Sequence, residues 1–119
     1  MTMAVILIID DEASIVELLG QFLTGEGYQV NAAYTSDEAL AKIKTNRPDI
    51  VLLDVKLEKG SGIEVLRKIR EEDKDIKVIM SSGCDKKDYW AEAEKLGASG
   101  HVEKPFNLAE LGDLLKKNN

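Results

Sequence analysis

Ala4-Val5-Ile6-Leu7-Ile8-Ile9-Asp10-Asp11 and Ile50-Val51-Leu52-Leu53-Asp54 are the stretches on which the fold turns: each is an unbroken apolar run that stops on a carboxylate. A strand with one wet face alternates polar and apolar residues. A short run without alternation, rich in β-branched side chains, reads as a strand buried on both faces, the situation of central strands in a parallel sheet covered by helices. Three further runs, Tyr28 to Ala33, Ile76 to Met80 and Gly100 to Glu103, complete the set, the last being the weakest signal. Between them lie segments of helical spacing, Ala13–Thr24, Ser36–Asn46, Gly62–Glu72, Lys86–Leu96 and Leu108–Lys117, closed by Gly25, Gly97 or the residue preceding Pro48. Strict alternation of strand and helix predicts an α/β fold of (βα)5 type, with right-handed crossovers and a doubly wound parallel sheet.

The bulk properties agree with one compact domain spanning 1–119: the chain has 119 residues, 44% hydrophobic and 32% charged. A formal net charge of −6 and a pI near 4.8 argue against direct nucleic-acid binding, because phosphate backbones select clustered Lys and Arg. The longest apolar run is too short to span a bilayer and no signal peptide is evident, so a cytoplasmic, membrane-free monomer is expected. The single cysteine, Cys84, offers no internal disulfide and no metal-ligand spacing, and its plainest reading is a small half-buried side chain.

In open parallel sheets the ligand site lies beyond the carboxyl ends of the strands, where strand order reverses. Just past the predicted strands stand Asp10 and Asp11, then Asp54, then Ser82 and Gly83, then Lys104 and Pro105. Carboxylates this close raise one another's pKa unless a cation is present, so a divalent ion is implied. With oxygen ligands and no paired His or Cys, the ion is magnesium, manganese being the alternative, and zinc is disfavoured. Magnesium readily bridges carboxylate to phosphate, which suits phosphoryl transfer with Asp54 as nucleophile. Lys104 supplies a point charge, the Ser82 hydroxyl a donor, and Gly83 lets a backbone N–H approach. Singly, each has a plainer reading: Asp10-Asp11 as a turn and helix N-cap, Asp54 as a solvated loop acid, Ser82-Gly83 as a turn, Lys104-Pro105 as an exposed lysine and a strand stop. Their coincidence at the strand ends carries the functional reading.

Ile8-Ile9-Asp10-Asp11-Glu12, Arg47 through Asp54, Gly62-Ile63-Glu64-Val65-Leu66, Val78 through Gly83, and Gly97-Ala98 through Lys104-Pro105-Phe106 together resemble the receiver domain of two-component response regulators, over the whole chain. The resemblance implies a flavodoxin-like sheet in the order 2-1-3-4-5, an order for which the chemotaxis receiver is a standing example. It implies Asp54 as phosphoacceptor, Asp11 as direct metal ligand, Asp10 acting largely through water, and the Lys56 carbonyl as a further ligand. Ser82 and Lys104 match the phosphate-sensing hydroxyl and lysine. The expected partners are a sensor histidine kinase or histidine phosphotransfer protein, with a downstream phosphotransferase or phosphatase. Such a chain catalyses its own phosphorylation and slow dephosphorylation rather than conventional turnover.

Three positions depart from the family pattern: Glu58 stands where a proline is usual, Ser82 where threonine is commoner, and His101 where a Tyr or Phe normally reports phosphorylation. Lys56 and His101, with Ile15, Leu18 and the Glu26-Gly27-Tyr28 turn, resemble the stand-alone receiver of the bacterial sporulation phosphorelay; separately, the Lys56 stem, with no acceptor to orient an attacking water, and Cys84 beside the same opening would shield an Asp54 phosphoryl group and tune its lifetime. His101 reads as a half-buried strand residue or as a pH-sensing one. Ile15 and Leu18 on the first helix, with Pro105 and Phe106, form a candidate docking face for a helical partner. The ending Leu114 to Asn119 suits either a stand-alone protein or a receiver trimmed from a longer regulator. Rival readings fare worse. A haloacid-dehalogenase phosphatase needs a second aspartate where Lys56 stands, and Asp10-Asp11 would repel a flavin phosphate. A docking module that is never phosphorylated is separated by intact mass after acetyl phosphate and magnesium.

Overall fold

A computed structural model describes residues 4–57, 60–83 and 89–118. The elements alternate as β1 (Val5–Ile9), α1 (Ala13–Gly25), β2 (Gln29–Ala33), α2 (Ser36–Thr45), β3 (Ile50–Asp54), α3 (Gly62–Glu72), β4 (Lys77–Gly83), α4 (Trp90–Lys95), β5 (Gly100–Lys104) and α5 (Leu108–Lys117). All strand pairings are parallel, in the order β2-β1-β3-β4-β5.

The unbroken apolar runs are explained by the two cores they feed. Leu7, Ile9, Val51 and Leu53 pack with Ala39 and Ile43 of α2, Val65, Leu66 and Ile69 of α3 and Ala93 of α4. Their neighbours Ile6, Ile8, Ile50 and Leu52 pack on the other side with Val16, Leu19 and Leu23 of α1 and Leu111 and Leu115 of α5. Successive side chains of a strand point to opposite faces, so a sheet with helices on both sides needs apolar residues at every position. Each such fully buried Leu or Ile contributes about 2 kcal/mol relative to exposure.

Local chemistry sets the helix ends. Thr35, Ser61 and Asn107 cap α2, α3 and α5, each side chain accepting from a backbone N–H in the first turn. The turn after α1 uses Gly27, at φ 97°, whereas Gly25, expected to close that helix, is its last residue. Gly97 follows α4 at φ 87°, as its position suggested. Arg70 of α3 donates to the carbonyls of Leu96 and Gly97, tying the end of α4 to α3. The strands run further than the apolar signal: β4 continues through Ser82 and Gly83 and β5 through Lys104, because backbone pairing persists where the side chains turn polar. The predicted helix beginning at Lys86 starts outside the described residues; α4 is described from Trp90.

Candidate functional site

β1 and β3 are adjacent, and the chain leaves their carboxyl ends toward opposite sides of the sheet, which opens a crevice there. Asp10 follows β1 and is buried; its N–H donates to the Ala33 carbonyl at 3.2 Å, extending the pairing with β2. One carboxylate oxygen of Asp10 accepts the Glu12 N–H at 2.9 Å and so shapes the entry to α1, the turn-forming role its sequence position allowed. The other accepts from Lys104 Nζ at 2.9 Å. Asp54 ends β3, also buried, and accepts from Lys104 Nζ at 3.1 Å and from the Lys56 N–H at 3.3 Å. Lys104 reaches from β5 past the end of β4, where its register partner is Gly83, a residue with no side chain to stand in the way. Glu12 lies 3.7 Å from the same ammonium.

Asp10, Asp11 and Asp54 each offer a carboxylate oxygen, and these oxygens lie within 4.8 Å of one another. Burial pushes the Asp54 carboxyl above its ordinary range and the charge of Asp10 adds to this, outweighing the hydrogen bond and charge of Lys104 and the Lys56 N–H. Burial alone would lower the Lys104 ammonium, yet its hydrogen bonds and charge attraction to Asp10 and Asp54 prevail and raise it. Lys104 is therefore charged at neutral pH, a single positive charge set among three carboxylates. The centre stays anionic, and its hard-oxygen donors fit magnesium or manganese and not a thiolate- or imidazole-seeking metal.

Gly62, quoted from the sequence only as the head of a motif and of a helix, has a packing role beside the site that the sequence reading did not give it. A Cβ there would lie 2.1 Å from the Asp54 carbonyl oxygen and 2.9 Å from Val55 Cα, so only glycine lets the first turn of α3 pack on the backbone carrying Asp54. Its N–H donates to the Val55 carbonyl at 2.7 Å. The available signal was a glycine opening a helix soon after the carboxylate. Tyr89 was missed too: its phenolic oxygen accepts from the Ser82 hydroxyl at 3.4 Å.

The remaining candidates are dispersed. Ser82 is buried and Gly83 ends β4. Lys56 is exposed at the rim, bridged to Ser61 across the loop between β3 and α3. Cys84 and Glu58 lie outside the described residues. His101 is exposed rather than half-buried, since β5 is an edge strand and this side chain faces outward, its ring 4.6 Å from that of Trp90. Leu18 is 50% exposed, whereas Ile15 and Phe106 are partly buried against the core shared by α1 and α5. Pro105 is exposed beside a cavity of about 300 Å³ lined also by His101, Val102, Glu103, Asn107 and Glu110. Among the described residues, no helix is long and apolar enough to cross a membrane.

Comparison with known proteins places this geometry. The chain is 39% identical to the sporulation initiation phosphotransferase F of Bacillus subtilis over 94% of its length and 90% of that protein's. It is 38% identical to the alkaline phosphatase synthesis transcriptional regulatory protein PhoP of the same organism, of which it spans 46%. Among solved structures, a CheY-like response regulator receiver domain protein from Methanospirillum hungatei superposes with a TM-score of 0.93 at 33% identity, covering 98% of this chain and 93% of that one. Chemotaxis protein CheY4 of Vibrio cholerae gives 0.93 at 30% identity, covering 99% and 100%. Residues 6–116 match the response regulator receiver domain, and the chain belongs to that family.

Proposed function

We propose that Asp54 accepts a phosphoryl group from a phosphohistidine of a sensor kinase or histidine phosphotransfer protein, and that the chain, acting as a single receiver domain, relays that group or signals by changing conformation. Receiver domains generally bind Mg2+ at an acidic pocket and interact with such kinases or phosphotransfer proteins. The observation that carries the assignment is the convergence of Asp10, Asp11 and Asp54 at one rim, with Lys104 bonded at once to Asp10 and Asp54.

In this reading an Asp54 oxygen attacks phosphorus in line, an O–P bond forms, the P–N bond to the donor histidine breaks, and the imidazole leaves with the electron pair. Asp11 would hold the metal directly, Asp10 largely through water, with Asp54 and the Lys56 carbonyl completing the protein's ligands. When bound, magnesium supplies charge neutralisation for the phosphoryl oxygens. Lys104 turns from the Asp54 carboxylate to a phosphoryl oxygen, and the Ser82 hydroxyl and Gly83 N–H donate to others. Lys56 and Cys84 tune water access. His101 and Pro105 border the cavity on β5, and Ile15, Leu18 and Phe106 complete a docking face for the donor. The likeness to a sporulation phosphotransferase supports a relay role over a rapid excitatory switch, as does the rim lysine at 56.

The test is transfer of radiolabelled phosphate from a phosphorylated histidine phosphotransfer protein to this chain and back. Label is expected on the parent, dependent on magnesium, and absent from Asp54→Asn. Full-stoichiometry labelling of that variant would end the assignment.

A further inference from the structure

Ser82 is 4% exposed, and its hydroxyl donates to the Tyr89 phenolic oxygen across 3.4 Å. A serine lacks the γ-methyl that restricts χ1 in threonine, so without a second partner its hydroxyl distributes among staggered wells. Tyr89 supplies that partner and is itself held in place. It is half-buried against the core beneath α3 and α4, and meets the Trp90 ring edge-on at 6.4 Å and 80°. Trp90 in turn rests against His101 of β5.

We propose that Tyr89 is a positioning residue for phosphoryl recognition, whose hydroxyl holds that of Ser82 in place when the phosphoryl group arrives. The proposal rests on the reading of Asp54 as acceptor. In the resting site the two hydroxyls share one hydrogen bond. A phosphoryl oxygen then accepts from the Ser82 O–H while the Tyr89 O–H donates to the Ser82 oxygen. No covalent bond changes. A contact of 3.4 Å is long for O–H···O and therefore weak, while a bond to an anionic oxygen is charge-assisted, so the exchange runs toward the phosphoryl group. Donation from Tyr89 polarises the Ser82 O–H in the direction that strengthens it as a donor.

The experiment is a double-mutant cycle on autophosphorylation by acetyl phosphate in magnesium, followed by intact mass, with the parent, Tyr89→Phe, Ser82→Thr and the double variant. Phenylalanine keeps the ring against Trp90 and removes only the hydroxyl. Tyr89→Phe is expected to slow labelling of the parent about fivefold, the worth of one hydrogen bond, and to slow the Ser82→Thr background by less than about twofold, because the methyl there restrains the rotor. Equal slowing in both backgrounds, or no slowing of the parent, overturns the positioning role alone. A parent that gains no phosphoryl mass overturns the acceptor reading and this proposal together.

Discussion

Replacing Asp54 by asparagine tests the electrostatics of the site apart from its chemistry. The variant keeps an oxygen to accept the Lys56 N–H, and Lys104 keeps Asp10 as its partner. What it loses is one negative charge, with Asp10 and Asp11 oxygens within 4.8 Å and the Lys104 ammonium at 3.1 Å. At an effective dielectric near 20, each repulsion costs about 3.5 kcal/mol and the attraction returns about 5 kcal/mol. The repulsions win by about 1.5–2 kcal/mol, and burial of the charged form acts in the same direction while solvent at the half-exposed Asp11 softens its share. Without metal at pH 7, Asp54→Asn is expected to be more stable by about 1.5 kcal/mol, a rise of about 5 °C in Tm. The folded-state pKa of Asp54 is raised, so its penalty is present at neutral pH and disappears as pH falls through that value; the two proteins should converge toward pH 4 or so. Magnesium narrows the gap, because a ligand at ten times its Kd stabilises the parent by about 1.4 kcal/mol and the variant, one carboxylate short, by less. Urea and thermal melts in EDTA, then across a magnesium titration, read all three effects. A variant less stable than the parent in EDTA at pH 7, or equal stabilisation of both by magnesium, would refute the reasoning.

Asp11→Ala is expected to abolish measurable magnesium binding by calorimetry and Asp10→Ala to weaken it less, as a direct ligand outweighs a water-mediated one; equal losses would remove the distinction. Gly62→Ala drives a methyl into the Asp54 carbonyl and should destabilise by about 3 kcal/mol in urea while slowing phosphate acceptance; a near-neutral variant would mean that the α3 turn yields freely. Lys56→Asn replaces a pure donor by an amide that can orient water, and should shorten the phosphoform half-life by about threefold or more at fixed magnesium; label lost at the parent's rate, or more slowly, contradicts it. Arg47→Ala removes the hydrogen bond that, with the Asp75 and Ile76 N–H groups, holds Asp73 down to about 2. A depressed carboxyl stabilises above its ordinary range and loses that contribution as pH falls, so the stability gap, at most about 1 kcal/mol for so exposed a pair, should close on acidification toward pH 2; a gap independent of pH would contradict it.

The fold was legible because its central strands have no alternative use. Ile6 through Ile9 and Ile50 through Leu53 are each essentially inaccessible, and only a sheet covered on both faces buries every residue of such a run. Helix boundaries were legible where a cap fixes them: α3 begins after Ser61 and α5 after Asn107, both where the spacing put them. Strand ends slipped where backbone pairing outlasts the apolar signal. Ser82, Gly83 and Lys104 read as residues past their strands, yet they pair with Glu103, Lys104 and Gly83, and hydrogen bonds between main chains are indifferent to side-chain polarity.

The carboxylates and Lys104 could be found from sequence because strand ends in this topology must converge, so position alone predicted proximity. Proximity did not predict the arrangement within the site. Crowded carboxylates suggested a divalent cation; what the sequence did not show is that Lys104 bonds two of them at once and so neutralises part of their charge. Lys104 thus steadies the resting site by holding Asp10 and Asp54 at once. Tyr89 was beyond the reach of pattern for a different reason. Helical spacing placed Tyr89 within a helix but could not say that its phenol reaches Ser82 of β4, and the missing methyl of Ser82 acquires meaning only when a phenol is found beside it. Residues on regular elements are thus assigned by period and register, whereas a residue that acts by holding another side chain emerges only from coordinates.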